Sequence, residues 1–122
     1  MEKSKKTLVM GASENPERYS NKAINKLRNY GHDVVAIGRR AGKVKDVTIE
    51  TGMPLFTGID TITMYLSAKN QEAYLNYLVS LKPNRIIFNP GAENQALARL
   101  CEQNSIEPVE ACTLVLLSIG DY

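Results

Sequence analysis

The stretch Thr7-Leu8-Val9-Met10 runs straight into Gly11, and a helical pattern opens about ten residues later. A strand that stops at a glycine, followed by a small-residue loop and a helix, is how an α/β chain holds a phosphate. Gly11 lets the backbone turn and approach a ligand closely, and Ala12 and Ser13 keep bulky side chains out of the way. The free N–H groups at a helix start, with the helix dipole behind them, favour an anion. The full dinucleotide fingerprint is absent, because its later glycines would fall at Ser13 and Pro16. The longer insert ENPERYS predicts a roomier loop, with Ser20 or Asn21 as the cap of the helix that follows. The plainer alternative is a strand-to-helix turn without a ligand.

The rest of the chain repeats that alternation. Helical spacing of Ala23, Ile24, Leu27 and Tyr30 predicts a helix over 21–30, closed by Gly31. Residues 33–37 contain the continuous apolar run VVAI, a strand buried on both faces. Residues 38–45 read as a basic, polar stretch, and 47–50 alternate as a short edge strand. TITMYL (61–66) is the next strand, followed by a helix over 70–81 with Ala73, Tyr74, Tyr77, Leu78 and Leu81 on one face. Lys82-Pro83-Asn84 breaks that helix. RIIF (85–88) is a strand, and 92–104 a helix with Ala96, Leu97, Leu100 and Cys101 inward. A last strand spans 106–110, and 113–118 is a short apolar tail segment.

These segments make an α/β fold: a doubly wound, mainly parallel sheet of five to six strands with helices on both faces. At 122 residues the chain, 1–122, is read as one domain with one core. A net charge of +2 does not suit a nucleic-acid binder, which shows a basic stripe. No apolar run approaches the ~20 residues of a membrane span. Residues 1–6 form a charged lead-in expected to fray, and the short apolar run after it is no signal-peptide core. Two cysteines make neither a disulfide framework nor a zinc site, so the cytoplasm is the expected compartment.

In sheets of this kind ligands bind outside the carboxyl ends of the strands, where strand order reverses. Three loops, 11–20, 38–43 and 67–70, should therefore converge, with 89–91 as a fourth wall. A fold of this type that binds NAD carries an acid after strand two, for the ribose hydroxyls. Here Gly38, Arg39 and Arg40 occupy that place. Arginines attract a ribose phosphate with a planar fork suited to its oxygens. Two ligands fit an adenosine with an extra ribose phosphate: NADP and coenzyme A. A solvated basic loop is the unremarkable alternative.

Four stretches together resemble the small standalone CoA-binding-domain family. They are VMGASENPERYSNKA with its G-A-S-x-x-P-x-R-x-S pattern, HDVVAIGRR, GIDTITMYLS, and IIFNPGAENQALARLCEQNSIEPVEAC, nearly the whole chain. That family is similar to the Rossmann-like N-terminal domain of the succinyl-CoA synthetase alpha subunit. The resemblance implies a first loop that contacts the pantetheine-phosphate region, through Gly11, Ala12, Ser13, Arg18 and Ser20. It implies further roles for Gly38, Arg39 and Arg40, and for Tyr65, Leu66 and Ser67, with the adenosine end held by the later loops. Where many members carry a proline and a lysine after strand two, this chain has Arg39 and Arg40.

Chemistry beyond binding finds no support in the residues. The synthetases use a phosphorylated histidine in a second domain that this sequence does not contain. His32 falls in the turn entering strand two, opposite the expected site, and reads as a turn or surface residue. Cys112 follows the last strand and could face the crevice; a small buried cysteine is the commoner role. No acid pair, metal cluster or nucleophile with a base stands out. The expected function is therefore a CoA or acyl-CoA binding protein without evident catalytic residues, whose partner is a small nucleotide ligand. An NADP-binding, oxidoreductase-like domain is the alternative, although the chain has no Tyr-x-x-x-Lys pair on a helix. The acyl group and the oligomeric state stay open.

Overall fold

The computed structural model describes residues 4–122. β1 (Thr7–Ala12) is its central strand, paired in parallel with β2 (Val34–Gly38) on one side and β5 (Thr61–Met64) on the other. Outside β2 lies β4 (Val47–Glu50), and outside that β3 (Gly42–Val44). Beyond β5 come β6 (Arg85–Phe88) and β7 (Glu107–Glu110). The order is β3-β4-β2-β1-β5-β6-β7, parallel throughout except for the antiparallel β3–β4 pair. The sequence reading lacked only β3. Its Gly-Lys-Val segment is too short and polar to show a strand pattern, and it pairs because the turn at Lys45-Asp46 folds it back on β4. The edge position expected of residues 47–50 thus belongs to β3.

Alternation along β1 divides the core. Leu8 and Met10 face one side with Ile62, Met64, Ile86 and Phe88, under α3 (Leu75–Ser80) and α4 (Gln95–Gln103). Val9 faces the other with Ala36 and Ile49, under α1 (Tyr19–Asn29) and α5 (Thr113–Ile119). Helices thus cover both faces, as a parallel sheet requires. Ile24 and Leu27 are fully buried on α1. Leu27→Ala would remove such an anchor, a change that costs about 2–5 kcal/mol in comparable cores.

Several helix ends differ from expectation. α1 starts at Tyr19, after Arg18 as N-cap, so Ser20 and Asn21 lie in its first turn and cap nothing. Asn21 instead reaches back, its Nδ2 donating to the Ser13 carbonyl at 3.0 Å. The other end closes as expected: Gly31, at φ +84°, lets His32 N–H bond the Leu27 carbonyl and Gly31 N–H the Arg28 carbonyl. Tyr30 is exposed as the C-cap. Residues 70–81 are not one helix: α2 (Ala68–Gln71) and a 3₁₀ turn (Glu72–Tyr74) precede α3. Gln71 anchors the break, its buried amide donating to the carbonyls of Leu66 and Ala92 at 2.8 Å each. Ala73 and Ala96, expected inward, are exposed. α4 is capped by Asn94, which accepts from Leu97 N–H, and the tail segment is helix α5. Of the lead-in, residues 1–3 lie outside the described part. Lys5 and Lys6 are tied down: Lys5 N–H donates to His32 Nδ1 at 2.9 Å, and the Lys6 carbonyl accepts from Asp60 N–H at 2.9 Å.

Candidate functional site

Strand order reverses between β1 and β5, and a cleft of about 720 Å³ opens at the carboxyl ends of the strands there. The loop after β1 supplies Gly11, Ala12, Ser13, Glu14, Asn15 and Arg18. The turn after β2 supplies Arg39, Arg40 and Ala41, and the segment after β5 supplies Tyr65, Leu66, Ser67 and Asn70. The three loops converge because parallel strands end on one edge of the sheet.

The first loop is built from its own side chains. Gly11 sits at φ +87° beside a break in the β1–β2 register, where a Cβ would come within 3.2 Å of the Tyr65 carbonyl carbon and Leu66 Cδ2. Glycine therefore lets the loop turn directly against the opposite wall of the cleft. Ser13 Oγ accepts from Asn15 N–H at 3.1 Å, and Asn15 Oδ1 accepts from Glu17 N–H at 3.0 Å. These local turns carry the chain to Arg18, where α1 begins without a capping side chain. Arg18, the residue that precedes α1, brings that helix start to the cleft, and a helix start favours an anion.

Three guanidinium groups, of Arg18, Arg39 and Arg40, and one carboxylate, of Glu14, line the space. Glu14 Oε2 accepts from Lys43 N–H at 2.9 Å, joining the first loop to the β3 strand. Tyr65 forms part of the wall with its ring packed on the α1 side of the core. Its hydroxyl is buried without a hydrogen-bond partner among the described residues. Burial pushes that phenol far above its ordinary range, so it stays protonated. The nearby Thr63 and Thr113 hydroxyls already bond each other at 2.8 Å.

Nine of the eleven residues singled out from the sequence line this cleft: Gly11, Ala12, Ser13, Arg18, Arg39, Arg40, Tyr65, Leu66 and Ser67. Ser20 does not; it is buried in the first turn of α1. Gly38 does not either, being packed against the Ala12 carbonyl. The expected fourth wall, residues 89–91, stands apart from the lining. Asn89 is a buried staple, its Nδ2 donating to Thr63 Oγ1 and the Met64 carbonyl and its Oδ1 accepting from Thr113 N–H. Glu14, Asn15, Ala41 and Asn70 are lining residues that were not singled out, although each lies in one of the three converging loops. A carboxylate in a phosphate-type loop gives no sequence signal, since only its partner at Lys43 explains it.

His32 lies at the amino end of β2, away from the cleft, but is buried rather than on the surface, its ring 5.0 Å from that of Tyr122. Cys112 is half-buried as the residue before α5, and Cys101 is fully buried in α4. Among the described residues, no group of three or more His, Cys, Asp or Glu is placed to hold a metal ion. No helix among them is long and apolar enough to cross a membrane.

A crystal structure of an uncharacterized protein superposes with a TM-score of 0.96 at 44% identity, covering 99% of this chain and 100% of that one. A protein from Thermus thermophilus shares the fold at 16% identity and a TM-score of 0.85, covering 98% of this chain and 91% of the other. So does part of the dinucleotide forming acetyl-coenzyme A synthetase 1 of Ca. Korarchaeum cryptofilum, solved with phosphate and ADP. There the identity is 14% and the TM-score 0.71, over 86% of this chain and 25% of that one. No curated protein matches the sequence. The nicotinamide alternative gains nothing from these likenesses. The family model of a CoA binding domain matches residues 5–118, nearly the whole length, and the chain belongs to that CoA-binding domain family.

Proposed function

We propose that the protein is a CoA or acyl-CoA binding module that holds its nucleotide in the cleft at the carboxyl ends of β1, β2 and β5. The observation that carries this reading is the convergence of an uncapped α1 start at Arg18 with Arg39 and Arg40 around one space of about 720 Å³. CoA is a long ligand with charge at two places, a pyrophosphate and a ribose phosphate. The glycine-initiated loop and the helix start suit the pyrophosphate side, through backbone N–H groups and Arg18. Arg39 and Arg40 suit the ribose phosphate, because guanidinium forks match phosphate oxygens. Family membership supports the same ligand class. Binding is the proposed activity in itself, and the reducing cytoplasm its proposed place, in keeping with two free cysteines.

Titration calorimetry with CoA and acetyl-CoA, combined with amide hydrogen exchange, tests this. The expected result is one ligand per chain, with new protection confined to residues 11–18, 39–41 and 65–70. No binding, or protection at the amino ends of the strands, would overturn it.

A further inference from the structure

Among the described residues the arginine-bearing end of the cleft contains a single lining carboxylate, that of Glu14, and two features of one contact define its place. The first is the hydrogen bond from Lys43 N–H to Glu14 Oε2 at 2.9 Å. Lys43 lies in the outermost strand, β3, whose outer edge meets no other strand among the described residues. A side chain from the first loop reaches that edge and satisfies a backbone donor, as edge strands require. The second feature is Gly42. A Cβ there would lie 2.5 Å from Glu14 Cδ, 2.7 Å from Cγ and 2.8 Å from Oε2. The Glu14 side chain therefore lies flat across the Gly42 backbone, and any larger residue at 42 displaces it.

Together these contacts tie the loop after β1 to the turn after β2, across the space both loops line. The arginines precede Gly42 by two and three residues, so the tie also fixes the turn that carries them. We propose that Glu14 is a positioning residue for the nucleotide end of the ligand. It latches the arginine turn against the first loop, and its charge moderates the attraction of that turn for an extra phosphate. This rests on the reading of the cleft as a nucleotide site.

The latch and the charge are separable. A glutamine oxygen accepts the same N–H bond without the charge. Alanine at 14 removes both. Alanine at 42 keeps the charge but displaces the side chain that carries it.

CoA and dephospho-CoA are titrated against the parent, Glu14→Gln, Glu14→Ala, Gly42→Ala and the double alanine variant, at low and high salt. Exchange of the Lys43 amide is followed in each ligand-free protein. Glu14→Gln should keep Lys43 protected and raise dephospho-CoA affinity by less than it raises CoA affinity, because only CoA carries the ribose phosphate. It should strengthen CoA by roughly threefold at low salt, the scale of an exposed charge pair, with the gain shrinking as salt screens it. Glu14→Ala and Gly42→Ala should each expose Lys43. Each should weaken both ligands by roughly fivefold to tenfold, the cost of ordering a released loop on binding. The double variant should be no weaker than either single one, because both remove the same contact.

Unchanged Lys43 exchange in Glu14→Ala, additive losses in the double variant, or a CoA to dephospho-CoA ratio unmoved by Glu14→Gln would each overturn the proposal. A parent that binds neither ligand overturns the nucleotide reading itself, and the positioning role falls with it. A parent that binds both, with variants that behave alike, overturns the latch alone.

Discussion

Gly38 and Ala12 meet where β2 and β1 end: a Cβ on Gly38 would sit 2.4 Å from the Ala12 carbonyl oxygen and 2.9 Å from Ile49 Cγ2. Neither neighbour can yield easily, since one is strand backbone and the other a fully buried side chain. Gly38→Ala should therefore destabilise the fold by about 1–3 kcal/mol, the range of overpacked cores. The midpoint of urea unfolding measures it. Parental stability would mean that the strands separate there at little cost, and that Gly38 is kept for some other reason.

Asn89 should behave as a fold residue, not as a wall of the site. Its amide joins β5 to the start of α5 through three hydrogen bonds, in a fully buried setting. Asn89→Ala leaves the Thr113 N–H without its acceptor and should cost about 2–4 kcal/mol, combining lost bonds with an unsatisfied donor. CoA affinity of the protein that remains folded should be unchanged. A stable variant with weakened CoA binding would return Asn89 to the site.

The two thiols should separate by reactivity. Cys101 is fully buried, and burial pushes its thiol up to about 11. At about pH 8 only about one part in a thousand of it is thiolate, and the thiolate is the nucleophile. Cys112, half-buried at the carboxyl edge of the sheet, should label first under mild alkylation read by peptide mass mapping. Raising the pH toward 11 should bring Cys101 in only if the core also opens. Preferential labelling of Cys101 in the folded protein would reverse this ordering.

The architecture was legible because buried parallel strands announce themselves: VVAI and RIIF need no partner to be read as strands. The three loops could be placed for the same reason, since parallel topology sends all of them to one edge. What escaped was set by contacts between distant residues. β3 exists because residues 42–44 fold back on β4. The helix over 70–81 is interrupted because Gln71 turns inward to the carbonyls of Leu66 and Ala92, which no periodicity reveals. Asn21 carries a capping residue's signature, yet it serves the Ser13 carbonyl instead. Glu14 belongs to the same class, for its reason to exist lies 28 residues away at Gly42.

In the proposed binding mode, Arg39 and Arg40 face the ribose phosphate of CoA. One charge-assisted contact of that kind is worth roughly 1.5–3 kcal/mol, and exposure at the turn brings it to the low end. The direct measurement compares CoA with dephospho-CoA, which lacks that phosphate, on the parent and on the Arg39→Ala/Arg40→Ala variant at two salt concentrations. The parent should prefer CoA by about tenfold at low salt, as ~1.4 kcal/mol per decade implies, and by less at high salt. The variant should lose that preference while holding dephospho-CoA as before. Equal affinity of the parent for the two ligands would contradict the account and take the ribose phosphate away from this turn.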